Sequence, residues 1–137
     1  MSSLLEKKCT ACELGAPLVP DEKQNDLLKD LKGWLIDRSD ISKLSKTYKF
    51  SNYASTLNFV NLIAELSESE DHHPKMTVEW GKVSLEWWSH KIEGLHMNDF
   101  ICAAKSDEIF FIFLAKRPIC FKNFGRSLGP ITTTTII

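Results

Sequence analysis

The chain has 137 residues, is 43% hydrophobic and 26% charged, and carries a formal net charge of −1. That describes one domain able to bury a core of its own. It gives no electrostatic case for nucleic acid or an anionic membrane, and no apolar run approaches the length that crosses a bilayer.

Residues 1–20 read as an irregular arm. The N-terminus lacks a signal-peptide core, and Cys9, Cys12, Cys102 and Cys120 show no disulfide-framework spacing, so the expected location is the reducing cytoplasm. Cys9-Thr-Ala-Cys12 has the spacing of half a zinc site or of a redox pair. No second pair of ligands follows, so the motif reads as two free thiols on a mobile arm. Asp21-Glu-Lys-Gln24 has the form of a capping box, with Asp21 as N-cap and Gln24 reaching back. Leu27, Leu28 and Leu31 make a narrow apolar stripe and Gly33 a stop, which predicts a helix over about 21–32. Trp34–Ile36 follows as a short strand and Asp37–Asp40 as a polar turn. Leu44, Lys46, Tyr48 and Phe50 then alternate with Lys43, Ser45, Thr47 and Lys49, the period of a half-buried strand.

Ser51-Asn52 can cap the next helix, predicted over about 53–67. Tyr53, Leu57, Val60 and Ala64 recur at helical spacing, widened by Phe59, Ile63 and Leu66. The helix ends in Glu68-Ser-Glu-Asp71, where acid opposes the macrodipole, so these carboxylates are expected to serve something other than helix stability. Pro74 disfavours helix at His73, which puts His72-His73 in a turn entering a strand, with adjacent side chains pointing opposite ways. Met76, Val78 and Trp80 alternate, Gly81-Lys82 turns, and Val83, Leu85 and Trp87 alternate against Ser84, Glu86, Trp88 and His90 as a hairpin. After Gly94, Asn98 can cap a third helix that carries Phe100, Ile101 and Ala104 inward. The order α-β-β-α-β-β-α implies an α+β fold with helices packed on one face of an antiparallel sheet.

Beyond Glu108 the pattern changes. Ile109–Leu114 is apolar all round and fits either an extension of the last helix or a strand. From Ile109 to Ile137 there are four basic residues and no acidic one, so residues 1–108 carry −1 − 4 = −5. Every candidate site residue precedes this tail, and the third helix can close on Ala103 and Ala104. The expectation is that truncation after Glu108 spares activity and reduces aggregation.

All four histidines (His72, His73, His90, His96) lie between Glu68 and Asp99, with Trp80, Trp87 and Trp88. Imidazole titrates nearest neutral pH, so a cluster flanked by carboxylates points to acid–base chemistry. Metal-ligand spacing is missing, as are a nucleophile elbow and a Gly-rich phosphate loop. His72, His73 and His90 are the candidate catalytic groups. His96 reads as a cap or solvating group of the third helix. Trp80 and Trp87 read as core, and Trp88 as a ring that can stack on a flat ligand.

Glu-Asp-His-His-Pro at residues 70–74, an aromatic at Trp80, His90, and Gly-Leu-His-x-Asn-Asp ending at Asp99 resemble the pterin-4a-carbinolamine dehydratase family. The likeness runs from about Cys9 to Glu108, and the Cys9/Cys12 arm and Trp-Trp-Ser-His run look bacterial-type. Residues 109–137 carry no such likeness. The resemblance implies a four-stranded antiparallel sheet with three helices, assembled as a homodimer or homotetramer. It implies loss of water from a 4a-hydroxytetrahydropterin, recycling the cofactor of aromatic amino acid hydroxylases. Pterin is then the substrate, and no cofactor is expected. Carried over position by position, the catalytic histidines are His72, His73 and His90. The pterin contacts fall at His72–Pro74 and at Ser89, Lys91 and Ile92 around His90, with Glu68, Asp71 and Asp99 nearby. Two imidazoles can deliver and withdraw the protons that dehydration needs, while a carboxylate accepts the aminopyrimidine edge. The rival expectation is a non-catalytic interaction module, the dimerisation cofactor of a transcription factor.

Overall fold

The computed structural model describes residues 4–10, 15–116, 119–120 and 130–131. Three helices, α1 (Asp21–Leu28), α2 (Tyr53–Glu70) and α3 (Met97–Leu114), alternate with strands β1 (Leu35–Asp37), β2 (Lys43–Lys49), β3 (Lys75–Glu79) and β4 (Lys82–Trp87). The four strands form one antiparallel sheet in the order β1-β2-β4-β3. This is the expected α+β order. A further antiparallel pair joins β5 (Ile119–Cys120) to β6 (Pro130–Ile131).

The β2–β4 register sets Leu44 opposite Trp87 and Tyr48 opposite Val83, and with Leu85 these side chains bury on one face. Alternation sends Ser45, Thr47, Ser84 and Glu86 to the other face, where the Thr47 and Ser84 hydroxyls meet at 2.9 Å. Phe59, Ile63 and Leu66 of α2 and Phe100, Ile101 and Ala104 of α3 close the core over the apolar face.

Several local expectations change. Asp21 is not the cap of α1: Pro20 occupies that place without a side-chain bond. Gln24 is buried instead, donating from Nε2 to the Val19 carbonyl at 2.8 Å. The helix stops at Leu28, because Leu31 and Trp34 reach the core through successive turns rather than along a straight helix. Gly33 takes a φ of +84° in that stretch. In α2 the buried stripe follows Thr56, Phe59, Ile63 and Leu66, while Tyr53, Leu57, Val60 and Ala64 lie along its edge. Asn52 caps this helix as expected, accepting from the Ser55 amide at 2.8 Å.

The hairpin turn is Trp80-Gly81, since Glu79 already pairs with Lys82. Gly81 has φ +74°, and an added Cβ would sit 3.0 Å from the Phe50 carbonyl oxygen. Trp80 is therefore not core; it is 68% exposed at the turn.

The apolar run Ile109–Leu114 continues α3. Ile109 is fully buried, and the Phe110 ring lies against Tyr48, Phe50 and Phe59, with Phe113 against Phe50 and Phe59. The helix thus does not close on Ala103 and Ala104 alone. The first described residues are also fixed rather than mobile. Leu4 is buried, and Thr10 exchanges two hydrogen bonds with the Asn98 side chain, at 3.0 and 2.7 Å. Cys12, the second thiol of the sequence motif, lies outside the described residues. Among the described residues no helix is long and apolar enough to cross a membrane.

Candidate functional site

The site is built on the end of α2. Asp71 adopts a left-handed conformation (φ 50°), the His72 amide donates back to the Ser67 carbonyl at 3.0 Å, and the Asp71 amide reaches Glu68 at 3.3 Å. This helix-ending turn satisfies the last carbonyls and reverses the chain. It drives His72 inward and leaves His73 outward, with side-chain exposures of 8% and 54%. Pro74, half-buried, then starts the run into β3.

The His72 ring stacks on Trp87, centroids 5.6 Å apart and planes 12° apart. Its Nε2 lies 2.6 Å from Oδ1 of Asp99, a fully buried carboxylate. The other oxygen of Asp99 accepts from the Ser89 hydroxyl and the His96 amide, both at 2.9 Å. An ionised carboxylate only accepts, so this network assigns the Nε2 proton to His72. The N-cap of α3 is His96 rather than Asn98: its Nδ1 accepts from the Asn98 amide at 3.1 Å. The expected capping role of His96 is what the structure contains, and Asn98 instead ties down the arm.

His73 and Glu68 form a second unit, Nε2 to Oε1 2.7 Å, on the exposed side of the same turn. A third unit lies past the end of β4. The strand stops at Trp87, so His90 is not a strand residue as its alternation suggested. It begins a single 3-10 turn, His90–Ile92, closed by the mutual backbone bonds of Ser89 and Gly94. Its exposed ring sits 4.3 Å from Trp88, and the Lys43 ammonium lies 4.6 Å from the centre of the Trp88 ring. Lys91 is exposed and Ile92 half-buried in that turn.

The structure therefore joins His72, Ser89 and Asp99 in one buried network, Glu68 with His73, and Trp88 with His90. The three units are linked through two short chain segments, residues 71–74 and 87–90. Among the described residues no group of three His, Cys, Asp or Glu is placed to hold a metal ion.

Sequence reasoning missed the partner of Glu70. Its Oε1 lies 2.7 Å from Lys105 Nζ, and both side chains are almost fully buried. The pair fastens the end of α2 to α3 immediately before the His72 turn. Nothing in the sequence marks Lys105, which follows two alanines on an apolar helix face. Asp107 also went unnoticed. It takes hydrogen bonds from Trp34 Nε1 (3.0 Å), Lys46 Nζ (2.8 Å) and Tyr48 OH (2.6 Å). Burial, then the Asp107 charge and hydrogen bond, hold the Tyr48 phenol well above its ordinary pKa.

Residues 16–109 match the protein family described as pterin 4 alpha carbinolamine dehydratase. A Vibrio vulnificus protein provisionally named a pterin-4-alpha-carbinolamine dehydratase is 51% identical over 105 residues, covering 76% of this chain and 96% of that one. One from Chlorobium luteolum, provisionally named likewise, is 44% identical over 111 residues, covering 80% and 97%. Among solved structures, a "transcriptional coactivator/pterin dehydratase" from Brucella melitensis shares the fold. It has a TM-score of 0.64 and 22% identity, covering 68% of this chain and 98% of that one.

Proposed function

The chain belongs to the pterin-4a-carbinolamine dehydratase family, and from that membership we propose that it removes water from a 4a-hydroxytetrahydropterin to give the quinonoid dihydropterin. The observation that carries this reading is the adjacent pair of imidazoles turned to opposite sides of one fixed joint. His72 is locked by Asp99, and His73 is exposed and held by Glu68.

In this reaction the C4a–O bond breaks, a proton joins the departing hydroxyl to make water, and a ring N–H gives up its proton as the C=N bond forms. His73, exposed and oriented by Glu68, is suited to exchange one of these protons with substrate. His90, exposed beside Trp88, is suited to the other, and the Trp88 ring offers a surface for the flat pterin. His72 and Asp99 hold the joint between them in place. The proposed chemistry asks for neither metal nor prosthetic group. On this reading the product supplies tetrahydropterin recycling for an aromatic amino acid hydroxylase in the cytoplasm, and the working form is a homodimer or homotetramer.

A second reading, a binding module without catalysis, draws on two separately exposed apolar side chains, Leu35 on β1 and Trp80 at the β3–β4 turn, 70% and 68% exposed. The two are separated by an assay of dehydration on chemically generated 4a-hydroxytetrahydropterin with a chelator present. The dehydratase reading expects acceleration over the spontaneous rate, reduced on the order of 10²-fold or more in His73→Ala. Unaccelerated reaction with the wild-type protein would leave only the binding module.

A further inference from the structure

The sulfur atoms of Cys9 and Cys102 lie 3.5 Å apart, although 93 residues separate them in the chain. Cys102 is buried in α3, whereas Cys9 is half-buried on the arm. The arm is held in register there. Thr10 exchanges its two hydrogen bonds with Asn98, and the Cys9 thiol reaches the Asn98 carbonyl at 3.8 Å. The Cys9 amide also points to Glu70 Oε1 at 3.5 Å. Bonded sulfurs sit about 2 Å apart, so closing this pair asks for a shift of roughly 1.5 Å.

We propose that Cys9 and Cys102 are a redox modification site, forming a reversible disulfide that staples the N-terminal arm to α3. The oxidant is hydrogen peroxide. The Cys9 sulfur attacks the O–O bond, taking one oxygen as sulfenic acid while the other leaves as water. The Cys102 sulfur then displaces that hydroxyl, and its own proton leaves with it as a second water. Two thiols lose two electrons and two protons, and the peroxide is reduced to two waters. The order follows from access. Cys9 meets solvent, whereas burial, and then the hydrogen bond with Cys9, push the Cys102 thiol up. The staple closes a loop of nearly the whole domain, so it stabilises chiefly by restricting the unfolded chain. It clamps the turn of α3 that carries Asp99 without contacting His72 or His73. The inference stands independently of the dehydration chemistry.

The test treats the full-length protein with hydrogen peroxide, blocks remaining thiols, digests without reduction and maps the peptides by mass spectrometry. The expected product is a Cys9–Cys102 linked pair lighter by two hydrogens, with a rise in Tm on the order of 5 °C that dithiothreitol reverses. Cys12→Ser should retain both signals and Cys9→Ser should lose both. A Cys9–Cys12 bond, sulfinic acid at Cys9 without a link, or an unchanged Cys102 would each overturn the assignment.

Discussion

His72 and Asp99, 27 residues apart in the chain, meet at 2.6 Å in a pocket closed to solvent. One belongs to the turn after α2 and the other to the first turn of α3, so with the Glu70–Lys105 pair this contact ties the end of α2 to α3 just before the chain enters the sheet.

Asp99→Asn tests that contact. The amide keeps the volume but presents donors where Ser89 and the His96 amide also donate, so the network loses its common acceptor. Leaving buried donors unmet costs about 1–3 kcal/mol. Turnover should fall about 10- to 100-fold through misorientation of the His72 turn, the usual scale for an orienting partner. Urea unfolding and steady-state kinetics on the same sample check both. Unchanged kinetics with reduced stability would confine Asp99 to a folding role.

Glu70 and Lys105 form an ion pair at 2.7 Å with side-chain exposures of 2% and 1%. Removing one charge leaves the other buried without its opposite charge at 2.7 Å, so Lys105→Met or Glu70→Gln should each cost about 3–5 kcal/mol. The double replacement by Met and Leu should recover most of the loss, because an apolar pair of similar volume needs no compensation in the interior. A double-mutant cycle from denaturant midpoints measures the coupling.

Truncation after Glu108 should unfold the domain rather than improve it. Ile109 is fully buried, and Phe110 and Phe113 fill the space between Tyr48, Phe50 and Phe59. Losing one such side chain costs about 2–5 kcal/mol, and the whole fold is worth about 5–15. Truncation after Lys116 keeps these contacts and should keep the cooperative transition. Far-UV and near-UV circular dichroism of the two truncations distinguish the outcomes.

Tyr48 gives a pH dependence with a definite sign. Its phenol is held neutral in the fold well above its ordinary value, chiefly by burial and then by Asp107. Above pH about 10 the unfolded chain releases this proton and the folded one does not. Stability contributed by the neutral phenol is therefore present below about pH 10 and declines as pH rises beyond it. Tyr48→Phe should flatten that alkaline decline while costing about 1–2 kcal/mol at neutral pH through the lost bond to Asp107. Thermal melts of both proteins across alkaline pH measure the difference.

The periodic parts of the molecule were legible because their side chains repeat. The alternation of β2 and β4 and the presence and Asn52 cap of α2 need only the local pattern to be read. What failed was local grammar overruled by burial. Asp21 to Gln24 has capping spacing, yet Gln24 serves the Val19 carbonyl from inside the protein. His90 has strand parity, yet β4 ends at Trp87 because the chain folds back through Ser89 and Gly94. The histidine cluster stood out by composition. Its division into an inward His72 and outward His73 and His90 rests on a left-handed Asp71 and on long-range partners, and neither is written locally. Lys105 could not have been found, since only the folded chain brings Glu70 to it.

The strand order β1-β2-β4-β3 has a kinetic consequence. The β3–β4 hairpin closes over two residues, but β2 must find β4 across the whole of α2, with Leu44 meeting Trp87 and Lys49 meeting Lys82. Such non-local pairings raise contact order, so the hairpin is the early local event and the central ladder the slow one. The buried network lies to one side of that boundary: Ser89 extends from the hairpin, His72 from the end of α2 and Asp99 from α3. None of its members lies on β1 or β2, so the network needs the hairpin and the two long helices and does not wait for the central ladder.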